Sequence, residues 1–585
     1  MENSDVAQVF SEIADILDLT GGNQYKVRAY RQAAQLVDTL PGPVSEYWRR
    51  GQLLSLPGIG EGIGTKIVEL LETGRCAEHE RLARQVPPGV LELLRLEGVG
   101  PKTVAAVWHK LGVTDIEGLE QACRDGRLRQ IPRMGPTRCK SILKAIERFR
   151  SRTGRMLLHR AVGYAEAIVA RLRKVPGVYE AIPVGSVRRR RATVGDLDIL
   201  VTARSSTAPR RAFVEMPEVA VVLAEGPTKS SVRLTSGLQV DLRVLPRESL
   251  GAALHYFTGS KAHNIALRTR AVHRGLKVSE YGVFDREGHR LSGAREEDVF
   301  RAVGLPWIPP ELREGTGELE AAEEGRLPKL VEEAELRGDL HVHSDASSDG
   351  HCTLEELWLA GLRLGREYVA VCDHSRSRPL GLTTERLLEH AARIRAFNRA
   401  HPEGPRLLAG IEVDILPDGS LDLPLEVLAS LDWVVASIHS RLRDSGARLT
   451  ARMESAVRSG VVDVIGHPSG RILGSRDPYP FDLPRLLEAA REEGVALEVN
   501  AQPDRLDLDD KGCRLAKQAG VRVAISTDAH LADHLANIRY GVWVARRGWL
   551  EASDVLNTLD LAHLRAWRRR GHRAPRHEPR SPAAH

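Results

Sequence analysis

Along roughly the first 150 residues, apolar side chains recur three and four positions apart and are interrupted by glycine-rich turns, which predicts short amphipathic helices. From about 178 to 245 the rhythm changes to short β-type runs, AIPVG, DLDILV and LQVDLRVL, which predict strands. A mixed, mostly helical segment follows to about 310. The next stretch, GTGELEAAEEGRLP, is acidic and glycine-containing and reads as a linker. Beyond it the runs DLHVH, YVAVCDH, LLAGIEVDI, WVVASIHS, VVDVIGHP, VALEVN and VRVAISTDAH alternate with helical stretches. Such alternation predicts a parallel sheet with crossover helices. Seven units in one domain predict a closed barrel, somewhat short of the usual eight. The last stretch, RRRGHRAPRHEPRSPAAH, is polar and proline-rich and predicts a disordered basic tail.

With 585 residues the chain exceeds one ordinary core, so about three to five domains are expected. A hydrophobic content of 42% and a charged content of 28% describe a globular protein. No run of about 18 apolar residues occurs, which argues against a membrane span. MENSDVAQVF lacks a basic flank followed by an apolar stretch, so no secretory signal is expected. The cysteines Cys76, Cys123, Cys139, Cys352, Cys372 and Cys513 form no C-x-x-C pair. That pattern predicts a reduced, cytoplasmic protein without a cysteine-based zinc site. The net charge of +6 is compatible with a polyanionic partner without requiring one, and it is uneven. Arginine crowds the stretch from Arg148 to Arg191 and the tail after Arg565.

Three N-terminal segments share one design: LPGIGEGIGTKI at 56–67, LEGVGPKTV at 96–104 and IPRMGPTRCKSI at 131–142. Each is a tight turn leading into a helix. A turn of this kind presents backbone N–H groups at a helix N-terminus, a geometry suited to a phosphate. One copy alone would read as an ordinary helical corner; three in one basic region favour contact with a DNA backbone.

In GSVRRRRATVGDLDILV, Asp196 and Asp198 fall at i and i+2 of a predicted strand and share a face. Asp241, in LQVDLRV, is a third candidate on another strand. Three carboxylates on neighbouring strands can hold two Mg²⁺ ions about 4 Å apart, as in-line phosphoryl transfer requires. Upstream, Gly185 and Ser186 end a strand and open the Arg188–Arg191 run, a cradle for a triphosphate. A lone D-x-D is usually a pair of surface carboxylates, and an arginine run is usually a solvated face. Their conjunction with a strand-ending Gly-Ser and a distant third aspartate is a nucleotidyltransferase arrangement.

In the last domain His341 and His343 alternate on one strand. His374, Glu412, His439, His467, Asp528 and His530 fall at the C-terminal ends of later strands, and Asp349 follows the first. A single H-x-H is usually structural. Nine ligand-type residues at strand ends instead converge on one mouth of a barrel, where such folds place their chemistry. The imidazoles favour Zn²⁺, Mn²⁺ or Fe²⁺ over Mg²⁺ alone.

The motifs GSVRR, GDLDIL, VDLRV and YFTGSKAHN (256–264), in this order, resemble those of a family X DNA polymerase, the group that contains polymerase beta. The resemblance covers residues 1–315. It implies that Asp196 and Asp198 hold both polymerase-site metals and that Asp241 holds the catalytic one. It also places Ser186 and Arg189 on the dNTP triphosphate, Tyr256, Phe257 and Gly259 against the incoming nucleotide, Asn264 at the minor-groove edge and Arg268 near the template. Arg190 departs from the polymerase beta motif, which has glycine there, and two readings stay open for it: tighter nucleotide binding, or a side chain that points to solvent. By the same resemblance Lys66 aligns with a Schiff-base lysine of a 5′-deoxyribose-phosphate lyase, and Lys26 and Tyr30 with its phosphate pocket; a phosphate-binding role for Lys66 is the open alternative.

Residues 337–550 resemble the PHP (polymerase and histidinol phosphatase) domain, with all nine ligand positions intact and Glu412 bridging two of up to three metals. The implied fold is multidomain. Residues 1–85 form a helical DNA-binding domain, 86–150 a helix-hairpin-helix fingers-type domain, 151–245 an α+β nucleotidyltransferase palm and 246–315 a thumb. A linker (316–336), a distorted (βα)7 PHP barrel (337–567) and the tail (568–585) follow. The implied protein is a monomeric, gap-filling DNA polymerase of base-excision or end repair. Its barrel would be a 3′→5′ exonuclease, with AP-endonuclease or 3′-phosphatase activity as extensions. Two rivals stay open: a barrel that hydrolyses small phosphate esters or pyrophosphate, and a DNA-end scaffold with structural metals.

Overall fold

Three helices in the N-terminal region, Glu61–Thr73, Pro101–Leu111 and Pro136–Arg152, begin immediately after an exposed glycine: Gly60, Gly100 and Gly135. Gly60 and Gly100 are extended N-caps without a side chain, so the first N–H groups of each helix stay open to solvent. The computed structural model describes residues 3–571 apart from 41–42, 95, 97–98, 133, 153–154, 348–349 and 379. The described chain divides into two compact units, residues 1–155 with 474–476, and 156–473 with 477 onward. In the first, helices Asn3–Leu19 and Gln24–Thr39 pack on Phe10, Ile13, Ile16 and Val27. The Phe10 and Tyr30 rings approach to 5.8 Å.

The second unit opens with a five-stranded sheet ordered Val178–Pro183, Asp196–Ala203, Gln239–Leu245, Lys229–Leu234, Val219–Glu225. Helices Leu158–Leu172 and Thr207–Val214 supply Ala161, Ile168, Leu172 and Phe213 to one apolar core with Leu197, Ile199 and Leu242. Two of the five strands lie outside the predicted runs. VAVVLAE (219–225) is an edge strand whose Val221, Val222 and Leu223 are exposed, and KSSVRL (229–234) is mostly polar. A helical subdomain follows, with a three-stranded sheet of Lys277–Ser279, Gly282–Phe284 and Arg290–Ser292 set within a segment that reads as mostly helical.

Residues 316–336 are not an open linker. They contain helix Glu318–Glu323, and Leu319, Ala322 and Leu330 join the core of the preceding subdomain. Fully buried Glu318 meets His263 Nδ1 at 2.8 Å and accepts the Gly315 and Thr316 N–H groups. Its acidic composition hid these apolar positions, because one of the acids is an internal hydrogen-bond acceptor rather than a solvated charge.

Seven parallel strands then pair in sequence order, from Gly338–Val342 to Val523–Ser526. The first and last strands meet: Asp528 N–H donates to His341 O, and His343 N–H to Ala529 O, each at 2.8 Å. This closes the barrel and brings the C-terminal ends of its first and last strands together. Gly338 is obligatory at the start, since a β-carbon there would lie 2.2 Å from the Tyr368 ring. The opposite end is plugged by Leu556, Leu564 and Trp567. Helix Leu561–Gly571 runs into the predicted tail, where Arg568 pairs with buried Asp463 at 3.0 Å; residues 572–585 lie outside the described residues.

Candidate active sites

On the five-stranded sheet, Asp196 and Asp198 share one face of their strand, and Asp198 lies directly beside Asp241 of the parallel neighbour. Burial, then the charges of Asp196 and Asp241, push the Asp198 carboxyl up to about 7. That rise records burial first and then repulsion among three crowded carboxylates, and a divalent cation would relieve the repulsion. Burial opposes ionisation of Asp241 too, but Lys229, at 2.6 Å, and Gln239, at 3.1 Å, hold its carboxyl below the usual range. The donor set therefore fits hard divalent cations, with Lys229 occupying part of it in this state.

Val184 leads into the short helix Gly185–Arg188, and Gly185 has φ +64°. A β-carbon at Gly185 would come within 2.3 Å of Asp198 Oδ2, so the loop and the carboxylates are packed as one piece. Arg188 makes a bidentate pair with Glu296 at 2.8 Å and also reaches Thr258 Oγ1. Arg189 donates to Thr258 O and, at 3.1 Å, to Glu314. Its guanidinium tip lies beside Gly259, where a β-carbon would sit 3.1 Å from Nη1. Tyr256 and Phe257 pack edge to face, Arg243 lies 5.1 Å over Phe257, and Asn264 donates to Tyr256 O at 2.7 Å. Arg268 is exposed on the same helix, its Nε 3.3 Å from Asn264 O.

In the barrel the predicted histidines converge. Three sets of ligand atoms gather within 4.8 Å: His341, His343 and Asp528; His343, His374 and His530; His374, Glu412 and His439. His343 belongs to two sets and so does His374, which links the three into one chain. His467 joins through Glu412, at 2.9 Å. Asp349 lies outside the described residues. Burial, then the neighbouring His530 and His374, push His343 down to about 4, so its imidazole is neutral and can donate a lone pair near pH 7. The His341 and His343 Nε2 atoms face each other at 3.2 Å, a separation suited to a shared cation. His467 and Asp528 have positive φ values of 25° and 50°. Non-glycine residues hold such backbone only where surrounding structure enforces it, commonly at functional sites.

A second layer orients this cluster. Glu498 meets His341 Nδ1 at 2.8 Å, Asp414 meets His439 Nδ1, and Asn500 donates to Asp528 at 2.9 Å. Asp373 accepts from Ser344 and Ser347 and pairs with His390 at 3.1 Å. Such partners fix the tautomer and ring plane of a ligating imidazole. Sequence reading missed them. The only signal was their i+2 spacing from Glu412 (Asp414) or position near a strand end (Glu498, Asn500), which many strand residues share.

Family models match the chain in order. They are a helix-hairpin-helix domain over 1–76, a SAM-like helix-hairpin-helix tandem over 90–148, the DNA polymerase beta thumb over 253–314 and the PHP domain over 339–502. The Bacillus subtilis protein named DNA polymerase/3′-5′ exonuclease PolX is 37% identical over 97% of this chain and 100% of its own length. The chain belongs to the family X DNA polymerases that carry a PHP domain. Shorter relatives are named probable phosphatases. One from Thermoanaerobacter sp. is 29% identical over 38% of this chain and 89% of its own. One from Caldanaerobacter subterraneus is 32% identical over 33% of this chain and 76% of its own.

In this family X polymerase the five-stranded sheet is the palm and the helical subdomain around 253–314 the thumb. No described helix is long and apolar enough to cross a membrane. In the N-terminal unit, Lys66 Nζ donates to Gly62 O at 2.9 Å on its own helix. Buried Tyr30 is pushed up to about 12, by burial and then by Glu78. Glu78 is itself held below the usual range by Arg81 and then, after opposing burial, by charges that include Lys66 and Lys26. Lys26, Tyr30 and Lys66 thus share one electrostatic neighbourhood.

Proposed function

We propose that the protein is a DNA polymerase that fills short gaps during base-excision or end repair, and that its PHP barrel is a metal-dependent 3′→5′ exonuclease. The carrying observation is that the chain pairs a palm carboxylate cluster with a linked histidine cluster while matching a protein named for both activities over 97% of its length.

In the palm, Asp196 and Asp198 would hold two Mg²⁺ or Mn²⁺ ions and Asp241 the one beside the primer 3′-OH. These ions supply Lewis acidity and charge neutralisation when bound. Gly185 lets the loop backbone approach the carboxylates, and Ser186 and Arg189 hold the triphosphate in line with the primer end. Tyr256, Phe257 and Gly259 bound the incoming sugar, Asn264 reads the minor-groove edge and Arg268 contacts the template strand. The helix-hairpin-helix turns grip the DNA backbone without reading sequence.

In the barrel, His341, His343, Asp349, His374, Glu412, His439, His467, Asp528 and His530 would hold up to three Zn²⁺, Mn²⁺ or Fe²⁺ ions, which supply a nucleophile and polarise the phosphodiester. Arg505, with its Nε 3.8 Å from Asp528 Oδ2, would orient that phosphodiester. Lys66 as a lyase nucleophile finds support only in its clustering with Lys26 and Tyr30.

The nuclease is tested on a 5′-labelled 3′-recessed duplex with Mn²⁺ and no dNTP. Shortening one nucleotide at a time, lost in His341→Ala and Glu412→Gln, is the expected result. A second reading, a small-molecule phosphatase, is favoured by the relatives named probable phosphatases, one aligned over 235 residues, about the length of the barrel domain. Hydrolysis of phosphate esters or pyrophosphate by wild type, with the duplex untouched, would select that reading.

A further inference from the structure

The arginine run of the palm loop divides its loyalties. Arg188 serves the thumb through Glu296, whereas the Arg189 carbonyl and the Arg190 side chain engage the PHP barrel. Arg190 stands where the family motif carries glycine and has φ +58°, a left-handed conformation that a β-carbon disfavours. Its guanidinium lies over the indole of Trp543, 3.8 Å from the ring centroid. That stacking offsets the backbone strain and gives a reason for a side chain at this position. Trp543 itself packs against the apolar core of the palm.

Trp543 belongs to helix Ile538–Arg547, which follows the last barrel strand. The helix ends on Arg547, whose side chain is 4% exposed. Arg547 donates to Arg189 O at 2.6 Å, to Glu314 Oε1 at 2.9 Å and to Asp510 at 2.5 Å. Glu314 Oε1 also accepts from Arg189 Nε at 3.1 Å. One carboxylate oxygen is therefore shared between the arginine assigned to the triphosphate and an arginine of the barrel. Without Arg547, Glu314 would pair more tightly with Arg189 and draw it from the nucleotide, while the Arg189 carbonyl would lose its anchor.

We propose that helix Ile538–Arg547 of the PHP barrel positions the palm's nucleotide loop, with Arg547 and Trp543 as positioning residues that make dNTP binding depend on the barrel. The inference deepens the polymerase reading and rests on it. Neither residue belongs to the metal cluster, so the barrel's own chemistry should be indifferent to their loss.

The test measures single-nucleotide incorporation into a gapped duplex, as kcat and KM for dNTP, for wild type, Arg547→Ala, Trp543→Ala and Trp543→Phe. Shortening without dNTP and the thermal midpoint are measured alongside. Loss of a charge-assisted contact predicts a KM about tenfold higher in both alanine variants, with a smaller change in kcat. Trp543→Phe keeps an aromatic face for Arg190 and should recover most of that KM. Shortening should stay at the wild-type value even where loss of the 4% exposed Arg547 lowers the midpoint. An unchanged KM in both alanine variants would overturn the proposal. So would a parallel fall of incorporation, shortening and midpoint, which would make the helix a plain structural prop. A wild type that extends no primer would instead remove the polymerase reading, and the wild-type control reports that separately.

Discussion

Glu296 is 5% exposed and gathers Arg188, fully buried Arg313 and the Trp307 indole around one carboxylate. Burial alone would raise its carboxyl, but the Arg188 hydrogen bond and the Arg313 charge hold it well below the ordinary glutamate value of 4.5. A carboxylate depressed on folding stabilises the protein fully above that value and loses the contribution as pH falls below it. Glu296→Gln leaves two arginines short of a countercharge, one of them fully buried, and should cost about 3 kcal/mol. Thermal midpoints should therefore be lower in the variant near pH 7, and the gap should narrow below pH 4.5. A constant gap across that range would show that the charge is not what Glu296 contributes. Legibility at this scale follows chemistry. The histidines at barrel strand ends were legible because so many imidazoles at such positions have no common alternative use. Glu296, Glu314 and Glu318 were not, since a glutamate's partner 17 to 108 or more residues away leaves no trace in local sequence. The structure also finds Arg189, read as a triphosphate ligand, already paired with Glu314.

At the scale of elements, the palm's working unit is a strand, a tight loop and a second strand in fixed register. Gly185 carries the constraint: φ of +64° disfavours a side chain, and a β-carbon would fall 2.3 Å from Asp198 Oδ2. Gly185→Ala should lower primer extension by well over tenfold, since small misplacements of a positioned group cost about a hundredfold. Shortening by the barrel should be unaffected. Extension close to wild type would mean that the loop moves independently of Asp198. The strands bearing Asp196, Asp198 and Asp241 were readable from their apolar alternation. Strand Lys229–Leu234 was not, because its lysine, serines and arginine leave no apolar alternation to read. The barrel strands read clearly for the opposite reason: buried on both faces, they are nearly continuous apolar runs.

At the scale of the whole molecule, the chain carries two clusters of acidic and imidazole ligands built on different sheets, one in the palm and one in the mouth of the barrel. A polymerase extends a 3′ end, and an exonuclease removes a damaged or mispaired one, so both would work on the same DNA terminus. The order of domains was legible from changes in periodicity. The packing of residues 316–336 and the seating of helix Ile538–Arg547 on the palm were not, because contacts between domains are encoded in surfaces rather than in repeats. On the proposed function these are two separate catalytic centres. The most direct measurement follows both ends of the chemistry on a one-nucleotide gapped duplex with Mn²⁺, with and without dNTP, in wild type, Asp198→Ala and His341→Ala. Asp198→Ala should abolish extension and keep 3′ shortening, and His341→Ala should do the reverse. Shortening that survives in His341→Ala, or extension that survives in Asp198→Ala, would contradict the proposed function.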